Sequence, residues 1–264
     1  MHKVFNCDCL EGMKKFPDGH FDLLVTDPPY NTTNNDWDYS INLKLLWLEW
    51  NRIIKDSGAF VFTSAQPFTT DLINSNRDFF RYDLIWEKSI ATGFLNANRM
   101  PLRGHEVISV FYRKLPTYNP VKHKLSTPSF KKRSKTNSTV SPNYGVYSNK
   151  LDKGDKDGNR HPRSVFTVDY ENSFFDSQPD SGQKMIHPTQ KPVSLFRYLI
   201  ATYSNPSDKV LDCFSGSGAS QIAAFDEGRE YVGFELNKEY FDASERRFQQ
   251  HKSQLTIWNQ DRHL

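Results

Sequence analysis

Phe21-Asp22-Leu23-Leu24-Val25-Thr26-Asp27-Pro28-Pro29-Tyr30 is the stretch from which the fold of this chain is most readily inferred. Its first six residues are mostly apolar and predict a buried β-strand. Two successive prolines lack backbone donors and hold φ near about −65°, so they end the strand and stiffen the turn that follows. The turn places the carboxylate of Asp27 and the phenol of Tyr30 at the carboxyl end of the strand, where open α/β sheets bind their ligands.

A carboxylate beside a flat aromatic ring suits a planar ligand with an amine at its edge. The carboxylate accepts from the amine, and the ring stacks on the plane. The alternative interpretation is a simple strand terminator, or a proline-rich ligand for a partner domain. The buried strand before the prolines argues against an exposed polyproline peptide.

The bulk composition indicates one large α/β domain with an insertion in a chain of 264 residues. Hydrophobic residues at 37% and charged residues at 25% are ordinary for a soluble protein. The three cysteines, Cys7, Cys9 and Cys213, form no Cys-x-x-Cys pair, which argues against a disulfide framework and a structural zinc site. Without an apolar leader or an 18-residue apolar run, the expected location is the cytoplasm, away from membranes.

Strands and helices are expected to alternate along most of the chain. The predicted strands are Val4–Asn6, Phe21–Thr26, Ala59–Thr63, Tyr82–Glu87, Glu106–Tyr112, Lys209–Asp212 and Arg229–Glu235. The predicted helices are Leu10–Phe16, about 42–55, Pro67–Ser75, a helix that starts at Pro192, Ala219–Glu227 and Lys238–Gln250. A mobile loop is expected over 31–39. This alternation predicts an α/β fold with a doubly wound, mostly parallel sheet.

A second candidate site runs from Asp212 to Gly218, where a strand meets a glycine turn and a helix. Such a turn brings backbone N–H groups close to a ligand. A dinucleotide fingerprint would place glycine where this chain has Gln221, so a pyrophosphate is disfavoured. Glu235 lies 19 residues after Gly216, at the end of the next strand, where an acidic residue binds ribose hydroxyls. S-adenosylmethionine fits this pattern, although an ordinary glycine turn remains the alternative.

The segment 113–163 is strongly basic and shows no periodicity. It holds 13 Lys and Arg against 3 Asp and Glu, a net charge of +10, while the whole chain carries +3. Lysine and arginine neutralise phosphates, so we expect this region to contact DNA. A solvated basic loop with no partner is the alternative interpretation.

The two turns together resemble the beta class of exocyclic-amino DNA methyltransferases. The resemblance is carried by Asp27-Pro28-Pro29-Tyr30, by Phe214-Ser215-Gly216-Ser217-Gly218, and by their order, with His187–Pro192 upstream of the second turn. It implies a Rossmann-like methyltransferase domain over 1–113 and 183–264, with an inserted target-recognition region over 114–182. It also implies S-adenosylmethionine as cofactor, and the spacing of the cysteines and histidines favours no metal.

The resemblance assigns further residues. Asp27, Pro28, Pro29 and Tyr30 are implied to hold the target base. The residues implied to hold the cofactor are Asp8, Thr189, Lys191, Asp212, Phe214, Ser215, Gly216, Gly218 and Glu235. Asp8 is equally explained as a helix N-cap, and Phe214 as core. Thr63 and Ser64 end a strand beside the site, where they are candidates for contact with the cofactor, although hydroxyls at strand ends are more often structural.

The expected activity is transfer of a methyl group to the N6 amine of adenine in DNA. An adenine amine is a poor nucleophile, because its lone pair is delocalised into the ring. Asp27 and the Pro28 carbonyl can accept hydrogen bonds from its two N–H groups. The base must leave the duplex, with Tyr30 as its stacking platform. The alternatives are a cytosine-N4 enzyme, an RNA or protein methyltransferase, and a catalytically silent DNA-binding protein. The sequence leaves open whether the protein forms a homodimer or has a restriction endonuclease partner.

Overall fold

The computed structural model describes residues 1–32, 38–124, 140–141, 145–146, 159–168 and 190–261. The chain divides into two compact units. Residues 1–119 and 164–264 form the first unit, and residues 120–163 form the second. Residues 114–119 and 164–168 of the predicted insertion therefore belong to the first unit, and the assignment of 114–182 to target recognition stays a prediction.

The first unit is built on an eight-stranded sheet. Its strands, in chain order, are β1 His2–Phe5, β2 Phe21–Thr26, β3 Ile54–Ser64, β4 Phe80–Thr92, β5 Arg103–Tyr112, β10 Val165–Phe166, β11 Lys209–Asp212 and β12 Glu230–Phe234. Across the sheet they lie in the order β1-β12-β11-β2-β3-β5-β4-β10. Among the strands that the structure describes, only β5 runs antiparallel to its neighbours, which confirms the predicted mostly parallel α/β sheet.

Helices cover both faces of this sheet. They are α1 Cys9–Met13, α2 Leu43–Ile53, α3 Phe68–Ser75, α4 Val193–Tyr203, α5 Ala219–Asp226 and α6 Lys238–Asp261, with a 3-10 turn at Phe94–Asn96. Helices α1, α2 and α3 pack on one face, and α4, α5 and α6 pack on the other. Apolar residues buried on both faces account for the continuous hydrophobic character of the central strands.

Helix α2 shows how sequence sets these elements. Asn42 caps it by accepting from the backbone N–H of Leu45, at 3.1 Å. Trp47, Trp50 and Ile53 recur on one side and are buried against the sheet. Two helices differ from their predicted ends by three residues or more. Helix α1 stops at Met13 instead of Phe16, and α6 continues past Gln250 to Asp261.

The second unit contains two short antiparallel strand pairs among its described residues. Strand β6, His123–Lys124, pairs with β9, Asn159–Arg160. Strand β7, Val140–Ser141, pairs with β8, Gly145–Val146. Most of the basic stretch between them lies outside the described residues.

The sheet reverses its direction of growth between β11 and β2. From β2 the chain moves to β3 on one side, and from β11 it moves to β12 on the other. This is a topological switch point, where carboxyl ends of neighbouring strands leave a crevice for a ligand. The two predicted turns follow these two strands, so the fold brings them to one crevice.

Leu24→Ala should lower the free energy of unfolding by about 2–5 kcal/mol, because Leu24 is fully buried in β2 and its loss leaves a cavity. Leu48→Ala is the matched control, because Leu48 is exposed on α2 and its loss should change the free energy by less than about 0.5 kcal/mol. Urea unfolding of the three proteins measures both values. Equal losses in the two variants would contradict the placement of β2 in the core.

Candidate active site

The carboxylate of Asp27 is held by residues from three parts of the chain. Pro28 and Pro29 are buried after β2, which leaves the Asp27 side chain partly exposed at the strand end. The Tyr30 hydroxyl donates to Asp27 Oδ1 at 2.7 Å, and the Thr63 hydroxyl donates to the same oxygen. Thr63, at the end of β3, therefore orients the Asp27 carboxylate, although its sequence position suggested a structural hydroxyl.

Lys191 supplies a cation to the second oxygen of Asp27. Its Nζ lies 3.0 Å from Asp27 Oδ2 and 3.2 Å from Glu106 Oε2, and the lysine side chain is buried. Burial alone would lower the pKa of Lys191, but the carboxylates of Asp27 and Glu106 raise it above its ordinary value. The ammonium therefore stays charged. The sequence assigned Lys191 to the cofactor, and that role stays a prediction beside the observed contact with Asp27.

Glu106 is the residue of this cluster that the sequence did not single out. It lies on β5 and contacts Lys191 through Oε2, while Oε1 lies 3.5 Å from Nζ of Lys88 on β4. Site residues were sought at the carboxyl ends of parallel strands. Because β5 is antiparallel, its amino-terminal half reaches the same edge. The sequence did show a carboxylate at the start of a predicted buried strand. It could be assigned to the site only once β5 was known to run antiparallel to its neighbours.

The ring of Tyr30 is already packed on one side. It stacks on Phe68 with centroids 5.4 Å apart and planes at 23°, and Lys191 Nζ lies 5.4 Å from its centroid. Burial and the nearby Asp27 carboxylate raise the pKa of the Tyr30 phenol well above its ordinary value. Phe68, from α3, thus stabilises the orientation of the proposed stacking platform.

Asp212 lies beneath the glycine turn, with its carboxylate bonded within the protein. Oδ1 accepts from the Thr26 hydroxyl at 2.5 Å and from the backbone N–H of Phe214 at 3.0 Å, and Oδ2 accepts from the Ser220 hydroxyl. The side chain is buried, and this burial raises the pKa of Asp212 to about 6. Asp212 therefore joins β11 to β2 and shapes the turn above it.

The glycines of the turn adopt conformations that other residues rarely take. Gly216 has φ of 49° and Gly218 has φ of 77°, both in the left-handed region. A Cβ on Gly216 would meet no atom closer than 3.9 Å, so this backbone faces open space. A Cβ on Gly218 would lie 3.1 Å from Cβ of Ser244, so Gly218 also allows α6 to approach.

The side chains of Phe214 and Ser215, at the start of the glycine turn, face the interior of the protein. The Ser215 hydroxyl lies 3.0 Å from the Tyr231 hydroxyl, and the Ser215 side chain is buried. Phe214 is partly buried and packs against the core around α1 and α2. Their predicted contacts with a cofactor stay predictions, and for Ser215 the backbone is the group that could make them.

Glu235 and Asp8 lie at the ends of neighbouring segments. Glu235 accepts from the backbone N–H groups of Gly216 and Asn237, each at 2.8 Å, and burial raises its pKa. Asp8 caps α1 by accepting from the Glu11 N–H at 3.2 Å, as its alternative interpretation proposed. The pKa of the Tyr39 phenol is raised to about 12, mainly by burial and to a smaller extent by the negative charges of Cys9, Asp8 and Glu235.

The structure brings the two predicted turns together. Strands β11 and β2 are paired neighbours, and the Thr26–Asp212 hydrogen bond joins the residue before Asp27 to the start of the glycine turn. This adjacency is what the sequence predicted. Thr189 lies outside the described residues, so its predicted contact with a cofactor is not located.

Within the described residues, no group of three His, Cys, Asp or Glu side chains is placed to hold a metal ion. All three cysteines are free thiols. Among the helices that the structure describes, none is long and apolar enough to cross a membrane.

A family model described as DNA methylase matches residues 21–246. The chain is 28% identical over 261 residues to Type II methyltransferase M1.MboII of Moraxella bovis, covering 91% of this chain and 94% of that protein. It is also 28% identical over 260 residues to DNA adenine methyltransferase YhdJ of Escherichia coli (strain K12), covering 92% of this chain and 81% of that protein.

Solved structures share the fold. The M1.HpyAVI–SAM complex aligns with a TM-score of 0.59 and 21% identity, covering 94% of this chain and 100% of that chain. PvuII DNA methyltransferase (cytosine-N4-specific) aligns with a TM-score of 0.63 and 18% identity, covering 93% of this chain and 86% of that chain.

Asp212→Asn should change how stability depends on pH. Since the pKa of Asp212 is about 6 when folded and about 3.9 when unfolded, the folded wild type binds the proton more tightly. The free energy of unfolding of wild type minus that of Asp212→Asn should therefore fall by about 2 kcal/mol from pH 4 to pH 6.5 and then level off. Urea unfolding across this range measures it, and a difference that rises with pH would contradict the burial of this carboxylate.

Proposed function

The chain belongs to the DNA methylase family, and we propose that it transfers a methyl group from S-adenosylmethionine to the N6 amine of adenine in a specific DNA sequence. One observation carries this proposal. The Asp27 carboxylate, oriented by Tyr30, Thr63 and Lys191, shares the crevice between β2 and β11 with the glycine turn. An acceptor for an amine thus faces a backbone suited to an adenosine-bearing cofactor.

The residues of the second turn fit S-adenosylmethionine. The Gly216 backbone faces open space, and the Glu235 carboxylate, already ordered by two backbone N–H groups, has lone pairs left for ribose hydroxyls. Asp8 would lie near the adenine, and Gly218 would let the backbone approach the cofactor. The cofactor supplies an electrophilic methyl group when bound. M1.HpyAVI forms a complex with SAM in its crystal structure, which supports the same cofactor here.

The chemical task of Asp27 is to accept from the target amine. Together with the Pro28 carbonyl it can accept hydrogen bonds from both N–H groups, which favours a pyramidal nitrogen whose lone pair is localised and aimed at the methyl group. Both oxygens of Asp27 already receive hydrogen bonds from the protein, so the carboxylate is held in one orientation before the base arrives. Fixed geometry of this kind supplies much of the rate in a transfer that needs in-line approach.

The target base must leave the duplex to reach Asp27. Extrusion costs a few kcal/mol, and stacking on an aromatic ring returns about 1–3 kcal/mol. Tyr30 is the proposed platform, supported from behind by Phe68. A supported ring loses little freedom when the base arrives, which makes the stacking more favourable.

Adenine is favoured over cytosine by the identity of the first residue of the turn. Aspartate stands at position 27, where serine is common in cytosine enzymes. The relative YhdJ is named a DNA adenine methyltransferase, whereas the fold alone is shared with the cytosine-N4-specific PvuII enzyme. A cytosine-N4 enzyme is the alternative, and a catalytically silent DNA-binding protein is a second one. The buried charge cluster around Asp27 supports an enzyme, since a silent protein has no need to orient this carboxylate.

DNA is the proposed partner, through the basic region 113–163 of net charge +10. M1.MboII is named a Type II methyltransferase, which supports a restriction-modification context. A restriction endonuclease partner, a homodimer and a cytoplasmic location all stay predictions.

The proposed reaction is tested by incubating the protein with labelled cofactor and mixed-sequence DNA, followed by nucleoside analysis. We expect N6-methyladenine. Label in N4-methylcytosine would establish the cytosine alternative, and label in neither nucleoside would refute DNA amine methylation.

Asp27→Ala should abolish methyl transfer and leave cofactor affinity within about threefold, because Asp27 faces the amine and not the glycine turn. Asp83→Ala is the control, since Asp83 is an exposed aspartate on β4. Initial rates and equilibrium binding of labelled cofactor measure the two effects. Retained turnover in Asp27→Ala would show that another group accepts from the amine.

Lys191→Met should lower kcat about 100-fold or more, because Asp27 loses a buried cationic donor. Glu106→Gln should lower kcat about 10-fold, since Lys191 keeps one carboxylate partner. Removing one partner of a buried pair also costs about 3–5 kcal/mol of stability, so rates are compared at a temperature where circular dichroism shows every variant folded.

Lys14→Met is the control for charge removal, because the Lys14–Glu11 pair is exposed on α1. Its kcat should match wild type. A Lys191→Met rate equal to the control would show that the lysine only supports the fold.

A further inference from the structure

The hairpin between β4 and β5 is exposed and apolar at the same time. Every residue from Ser89 to Arg103 is exposed. Phe94 and Leu95, at its tip, have 75% and 86% of their surfaces exposed. The other large apolar residues exposed on this hairpin are Ile90, Met100 and Leu102. A cluster of apolar side chains held out in water marks an interaction surface.

The hairpin projects from the edge of the sheet that carries the active site. Strand β4 runs in the same direction as β2 and β3, so its carboxyl end lies at the edge where Asp27 stands. The last residue of β3, Ser64, pairs with Val107 of β5. Residues 88–103 therefore lie beyond the end of β3. The last five residues of β4, 88–92, span about 16 Å at about 3.3 Å each, so the hairpin extends by about that distance past the strand end.

The base of the hairpin is joined to the catalytic cluster. Lys88 on β4 contacts Glu106 on β5, Glu106 contacts Lys191, and Lys191 contacts Asp27. The register is also irregular here, since Glu87 pairs with His105 and Thr92 with Arg103. Between these pairs β4 has four residues, 88–91, and β5 has one, so the hairpin bends where it leaves the sheet.

The charge of the hairpin selects its partner. From Lys88 to His105 the sequence has no Asp or Glu, and it carries Arg99 and Arg103, both exposed. Arginines beside an apolar tip fit a partner that has both anionic groups and flat apolar surfaces. Duplex DNA has phosphates on its outside and stacked bases inside, and it is the proposed substrate of this protein, whose target base would bind at the nearby Asp27.

We propose that the tip, Phe94 and Leu95, enters the DNA stack beside the target base while Arg99 and Arg103 bind the flanking phosphates. This inference rests on the proposed function and adds a means of extruding the base. Apolar side chains that wedge between bases unstack them, and an extruded base leaves a gap that needs filling. The hairpin is a positioning element for the DNA, and it makes no contact with the reacting atoms.

The test begins with oligonucleotide duplexes that contain one site methylated by the wild-type protein. One duplex is fully paired, and the other has an abasic position opposite the target adenine. The variant Phe94→Ser/Leu95→Ser should lose about 10-fold or more in kcat/KM on the paired duplex. On the abasic duplex the loss should shrink to about threefold or less, because the base is already free to leave the stack.

The matched control is Leu48→Ser, an exposed leucine on α2. It should match wild type on both duplexes. The proposed insertion of Phe94 and Leu95 into the DNA stack is refuted if kcat/KM of Phe94→Ser/Leu95→Ser on paired DNA equals that of the control. It is also refuted if the variant loses the same factor in kcat/KM on both duplexes. It is also overturned if the variant changes the sedimentation coefficient and leaves methylation of paired DNA intact, since the surface would then bind protein. Absence of wild-type transfer to any DNA would instead refute the proposed function.

The arginines are tested by the salt dependence of duplex binding. Arg99→Gln/Arg103→Gln should reduce the slope of log K against log salt concentration by about 2, since each phosphate contact contributes about 0.9. An unchanged slope would overturn their role on the phosphates.

Discussion

The hydrogen bond from Thr26 to the buried carboxylate of Asp212 is the contact on which the site depends. It joins the ends of two strands that are 186 residues apart in sequence but adjacent in the sheet. Asp212 also orders the glycine turn through Phe214 N–H and Ser220. One carboxylate thus sets both the spacing of the strand ends and the conformation of the glycine turn, and the turn Asp27–Tyr30 begins one residue after Thr26.

A second buried charge centre orders the residues around Asp27. Lys191 lies between Asp27 and Glu106, so residues from β2, β5 and the segment before α4 meet at one ammonium group. Ions inside a protein are favourable only when their geometry satisfies them, which makes such a cluster a strong constraint on how its elements pack. The constraint serves the proposed chemistry, because Asp27 can accept from an amine in one orientation only.

The strands and both turns could be predicted because each is specified by a short, local pattern of residues. Apolar runs indicated the strands, and the prolines after Thr26 and the glycines after Phe214 marked both turns. The direction of β5 has no such local signal, so Glu106 and its contact with Lys191 were missed. Phe68 behind Tyr30 was missed for the same reason, since stacking joins residues that are distant in sequence. The roles of the site residues remain predictions, and the basic insertion has no periodicity from which its structure could be inferred.

The pairing of β11 with β2 also determines the order in which the protein can be assembled. During synthesis, β2 emerges long before residues 209–212, and until then one of its edges has no strand beside it. An unpaired apolar edge is a site for association with other chains. Folding during translation therefore leaves the central strand unprotected for most of synthesis, and the crevice forms only when β11 is released. Protection of that edge by a chaperone would matter most in this interval, and a chain stopped before residue 209 would have neither the edge partner nor the glycine turn.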